Sequence, residues 1–135
     1  MITPGVTCLR PFHYRRLWLG IWIFGWSLCI VLSLIAPPDL PETPPMSDKL
    51  GHLLAYGTLA AWAVQLFATR RALVLSLIAL SALGVVLEFA QGALTTTRMA
   101  DPRDALANTL GVLLGGALAW TPGRNILQRL ERRMR

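Results

Sequence analysis

Leu17 to Ala36 reads LWLGIWIFGWSLCIVLSLIA, twenty residues without a single charge. A bilayer's hydrocarbon core is about 30 Å thick and takes roughly 20 helical residues to cross. In lipid only helices and closed barrels satisfy all their backbone polar groups, and an unbroken apolar run of this length is helical. The stretch predicts a transmembrane helix. A cleaved signal peptide fits poorly: Leu34-Ile35-Ala36-Pro37 places proline directly after the one small residue and a bulky leucine two positions before it.

Outward from this run, three more follow: Leu50 to Ala68, Ala72 to Leu94, and Ala105 to Trp120, the last a little short at 16 residues. Composition agrees, with 54% hydrophobic and 15% charged residues over 135 positions. A soluble domain carries about 25% charged residues, and a disordered chain is poorer still in apolar ones. Two cysteines, Cys8 and Cys29, make no disulfide scaffold, and no zinc-type spacing occurs. The expected fold is all-α: a bundle of four transmembrane helices over residues 17–120, flanked by a basic N-terminal segment (1–16) and a basic tail (121–135).

The net charge of +6 is a topology signal, not a nucleic-acid footprint. Ten cations fall in the N-terminal segment (Arg10, Arg15, Arg16), the second link (Arg70, Arg71) and the tail (Arg124, Arg129, Arg132, Arg133, Arg135). The opposite loops hold three, Lys49, Arg98 and Arg103. With four spans the ten lie on one side, which places both termini in the cytoplasm and the chain in a bacterial inner membrane as a multi-pass protein. Five prolines between 37 and 47 predict an extended outer loop. Asn125–Arg135 predicts a short amphipathic helix with Ile126, Leu127, Leu130 and Met134 on one side, an anchor among anionic lipids.

Polar residues inside a span are costly and need a reason. Glu88 and Gln91 share a face of the third run with Ser81 and Gly84. Asp48, His52 and Tyr56 are spaced i, i+4, i+8 at the start of the second, beside Lys49. In the fourth, Asp101, Asp104, Asn108, Gly111 and Gly115 recur at steps of three or four. Gly84, Ala107, Gly111, Gly115 and Ala119 are the expected packing positions, Gly111 and Gly115 forming a GxxxG seam that another helix can approach. Asp104 is the expected N-cap of the fourth helix. The stripes imply one outward polar pocket of Asp48, Lys49, His52, Tyr56, Glu88, Gln91, Arg98, Asp101, Asp104 and Asn108. The first run adds nothing ionisable, and its Trp18, Trp22 and Trp26 face lipid or packing.

The series Asp48-Lys49-x-x-His52-x-x-x-Tyr56, Glu88-x-x-Gln91 and Arg98-x-x-Asp101-x-x-Asp104-x-x-x-Asn108-x-x-Gly111 resembles the VanZ-like family of small bacterial membrane proteins over about residues 46–120. That family takes its name from an accessory protein of glycopeptide-resistance clusters associated with teicoplanin resistance. The resemblance implies a cell-envelope membrane protein.

Three functions compete at this stage. A non-enzymatic module would bind a lipid or cell-wall-precursor head group, with Lys49 and Arg98 on its anion. An intramembrane enzyme would use Glu88, His52 or Asp104 as acid and base, though no outward serine or cysteine is expected at the cluster. A small transporter would need relay groups in the inner part of the bundle, which the sequence lacks. No cofactor is called for, and no ligand spacing demands a metal, although Asp101, Asp104, Glu88 and His52 could hold one. The expected partners are membrane lipids, an anionic or lipid-linked envelope ligand and, through the glycine seam, a second copy; nucleic acid is not among them.

Overall fold

The computed structural model describes residues 7–35, 45–96 and 99–134, with no side-chain detail at positions 45 and 46. Its elements are helical: α1 (Arg15–Leu34), α2 (Pro45–Leu66), α3 (Arg70–Leu94), α4 (Pro102–Gly116) and α5 (Ile126–Arg133). Two 3-10 turns, Ala117–Trp120 and Pro122–Asn125, join α4 to α5. The β pairing among the described residues is an isolated bridge between Leu9 and Phe67.

Helix boundaries follow local chemistry. Thr69 caps α3 by accepting from the Ala72 amide at 3.3 Å. Asp101 caps α4, accepting from Arg103 N at 2.9 Å, and Pro102 occupies the first position, where its missing N–H costs nothing. The cap is thus Asp101, not Asp104 as the sequence suggests, because Asp104 is drawn sideways to Lys49. For the same reason Pro45 can open α2, so residues 45–47 are helical rather than part of an extended loop. Positions 37–44 of that loop lie outside the described residues.

α1 and α3 are long and apolar enough to cross a membrane. α4 with its 3-10 continuation qualifies only together with the chain that follows, across a bend of 79°. The outward faces of the two long helices are apolar, with Phe24, Leu32, Leu75, Ile78, Val86 and Phe89 more than half exposed. Such a surface suits lipid rather than water.

α2 is the central element, packed against α1, α3, α4 and α5. It runs parallel to α4, and the two approach at backbone distance. A side chain at Gly111 would strike the carbonyl oxygen of Leu53, and one at Gly115 that of Gly57. The GxxxG seam is therefore filled by α2 of the same chain, with Ala107 buried and Ala119 half-buried along the same side of α4 and its 3-10 extension. Beside that seam, Gly84 of α3 admits Asn108, whose side chain a Cβ at residue 84 would strike. The core of Tyr56, Leu59, Ala60, Leu80 and Val112 is closed by Trp22 and Trp26, and a second core joins Trp18, Leu66 and Leu127. The tryptophans of α1 are thus packing residues.

At the end of the bundle where α1 and α3 start, the two ends of the chain are clasped together. Arg10 N donates to Leu66 O and Ala68 N to Cys8 O, both at 2.8 Å. Gln65 holds the approach to α5 from both sides, donating to Gly123 O at 2.8 Å and accepting from Leu127 N at 3.1 Å. Glu131 accepts from His13 N and Tyr14 N at 2.9 Å and from Trp18 Nε1 at 2.8 Å. The buried residues of α5 are Leu127 and Glu131, whereas Ile126, Leu130 and Met134 remain about half exposed. The tail is a docked helix rather than a loose basic anchor. Replacing Gln65 by leucine is expected to cost about 1–3 kcal/mol, since a buried Leu127 amide loses its acceptor; a chemical melt of the variant would measure it.

Candidate functional site

At the other end of the bundle, the starts of α2 and α4 meet the last turns of α1 and α3. Lys49 Nζ donates to Asp101 Oδ2 at 2.9 Å and to Asp104 Oδ1 at 2.8 Å, joining α2 to α4. Asp101 turns its backbone N–H to the buried carboxylate of Glu88, which ties α3 to the same point. The Lys49 ammonium, followed by the Arg103 amide, holds the Asp101 carboxyl below the ordinary carboxylate range.

His52 sits one turn beyond Asp48 on α2. Its Nδ1 lies 3.1 Å from Asn108 Oδ1, and an amide oxygen can only accept, so Nδ1 carries the hydrogen. Nε2 then faces Asp104 Oδ2 at 3.9 Å and Asp48 Oδ1 at 4.0 Å. Asp48, His52 and Asp104 each offer one ligand atom, all within 4.8 Å of one another. The metal-capable set thus contains Asp48 in place of Glu88 and Asp101, which are committed to the loop amide and to Lys49.

A cleft of about 290 Å³ opens beside His52 between α1 and α2. It is lined by Cys29, Leu32 and Ser33 of α1 and by Ser47, Asp48, Gly51, His52, Ala55 and Tyr56 of α2. The sequence reading that left serine and cysteine away from the cluster is therefore corrected: α1 brings both to its edge. Tyr56 is 2% exposed, and its hydroxyl, set against the Cys29 thiol, makes no hydrogen bond to nitrogen or oxygen.

Of the ten expected pocket residues, Lys49, His52, Glu88, Asp101, Asp104 and Asn108 are joined by contacts, and Asp48 and Tyr56 line the adjoining cleft. Gln91 is turned away, donating to Ser33 O at 2.9 Å and so fastening α3 to α1. Arg98 lies outside the described residues. Sequence reasoning missed the parts played by Cys29 and Ser33, since an apolar run with scattered small polar residues gives no signal of which one faces a neighbour.

The arrangement defines a small helical protein with two or three helices able to cross a membrane and a charged cluster where its helices meet. Comparison with models of protein families, with curated proteins and with solved structures yields no match. Chemically, four acidic side chains gather around one ammonium among the described residues, so the cluster is rich in acceptors.

Proposed function

We propose that this is a four-span protein of the bacterial inner membrane, related to the VanZ-like family, with both termini in the cytoplasm and the cluster at the outer face. Its function is that of a non-enzymatic envelope module binding the polar head group of a lipid or cell-wall precursor. The observation that carries this reading is the meeting of Lys49, His52, Glu88, Asp101, Asp104 and Asn108 from three elements beside an open cleft. Ionisable groups at the end of apolar helices are costly unless paired or used. Asp48 and His52 line the cleft after the pairing. Lys49 already serves two carboxylates, and the amine or hydroxyl donors of a head group match the cluster's acceptors. A link to glycopeptide resistance would follow only from kinship with that family.

The expected result concerns the chain purified in lipid discs with total bacterial envelope lipid. Mass spectrometry should find a lipid species retained by the wild type and depleted at least about tenfold in Asp48→Asn, a loss of roughly 1.4 kcal/mol of binding. Equal retention by both would overturn the proposal. A chemically altered lipid that depends on His52 would instead make the site an intramembrane enzyme.

A further inference from the structure

We infer that Asp48, His52 and Asp104 form a binding site for a divalent cation of the zinc or manganese type. Because Nδ1 donates to Asn108, a neutral His52 presents Nε2 as a bare lone pair, and the atoms facing it at 3.9 and 4.0 Å are carboxylate oxygens. Three acceptors converge on one point, an arrangement that a proton on Nε2 or a metal ion between them relieves. Lys49 offsets part of the negative charge through Asp104 Oδ1, but its ammonium is directed to that oxygen and to Asp101 Oδ2, leaving Asp104 Oδ2, Asp48 and Nε2 facing one another.

The pattern is that of a metal ligand. A coordinating histidine commonly donates its second ring N–H to a carbonyl oxygen, which fixes the tautomer and aims the lone pair at the ion. One imidazole and two carboxylates suit zinc or manganese better than a soft cation. Bonds of about 2.1 Å around a tetrahedral ion put donors about 3.4 Å apart, so both Asp48 and Asp104 close in on Nε2 by about half an ångström when an ion binds. Asp48 is free to do so, being 58% exposed at the start of α2. A separate observation points the same way. The Tyr56 hydroxyl, one turn deeper on this face, borders the same cleft, yet it is buried without a nitrogen or oxygen partner. A hydrated ion or the ligand it holds would give that hydroxyl one.

The cation site stands independently of the head-group reading; if both hold, the ion's open positions would take oxygens of the head group. The test uses the full-length chain in detergent, titrated with zinc alone and, separately, manganese alone, against a competing chromophoric chelator. One ion per chain should bind, with affinity weakened at least about tenfold by Asp48→Asn, His52→Ala or Asp104→Asn. Arg129→Ala, at an exposed side chain at the opposite end of the bundle, should change it less than about threefold. Were His52→Ala or Asp104→Asn to misfold, Asp48→Asn decides alone, because its side chain is 58% exposed. No saturable binding, or equal affinity in the wild type and Asp48→Asn, overturns the proposal. Lipid retention measured without metal reports on the head-group reading separately.

Discussion

Gly111→Leu is expected to yield no folded protein, and Gly111→Ala alone to cost about 3 kcal/mol or more of a stability that for single domains is about 5–15. The reason is the neighbour. A Cβ at this position meets the carbonyl oxygen of Leu53, with the Gly57 amide nitrogen 3.0 Å away, and backbone cannot rotate aside as a side chain can. α2 and α4 would have to separate, and the separation would pull Lys49 from Asp101 and Asp104 and His52 from Asn108. Structure and site therefore fail together. Gly20→Ala provides the contrast. Nothing lies within 4 Å of its Cβ position on α1, so the change should stabilise by about 0.5–1 kcal/mol through lower unfolded-chain entropy. Thermal melts followed by circular dichroism, with elution volume in mild detergent, separate the cases. A Gly111→Leu chain that melts with the wild type would show that the two helices do not pack here. Because α2 fills the seam, the variant should lose its monomer fold rather than merely disperse an oligomer.

The same glycines show what the sequence could reveal. Uncharged runs announce helices because lipid or a core must receive them, so the spans expected at Leu17 to Ala36 and Ala72 to Leu94 match α1 and α3 to within two residues at each end. α2 and α4 were harder. Asp48, Lys49 and His52 dilute the apolar signal of α2, and α4 stops at Gly116 and tightens into a 3-10 turn that an unbroken apolar run does not disclose. The polar stripes were visible because Asp48, His52 and Tyr56 keep a four-residue step, and Asp101, Asp104 and Asn108 alternate steps of three and four. Their pairing was hidden. Whether Lys49 meets Asp101 or Glu88 depends on the register of α2 against α4, which the contact of Gly57 with Gly111 fixes. Gln91 shares the polar face of Glu88 in any helical wheel, yet it reaches Ser33 because α1 stands at that height.

The least legible residue is Glu131, where the second large effect is expected. In the sequence it is one acid among the arginines of a basic tail, and reads as charge balance. Two of its three partners are backbone amides, which no side-chain pattern reveals. α1 starts with no side-chain cap of its own, leaving amide hydrogens at its N-terminus without acceptors. Glu131 supplies the missing acceptor from the far end of the chain and places a negative charge where the helix dipole is positive. Burial alone would raise its carboxyl, but the Tyr14 and His13 amides and the Trp18 indole outweigh that and hold it below the ordinary glutamate value. Glu131→Ala strands three donors at once and is expected to cost about 3 kcal/mol, at roughly 1–3 for a buried unsatisfied group with some access to water. The sign of the pH effect follows from the lowered value. The latch contributes its full stability above about pH 4.5, where an unfolded glutamate is ionised, and loses it as pH falls through the lower folded value. Acidification should therefore expose residues 126–133 to hydrogen exchange and shift Trp18 fluorescence. Glu131→Gln keeps an acceptor oxygen but removes the titrating charge, so it should cost less than alanine and flatten that acid response. Unchanged exchange in α5 of Glu131→Ala would mean that Leu127 and Gln65 alone hold the tail, and that α1 begins without needing a distant cap.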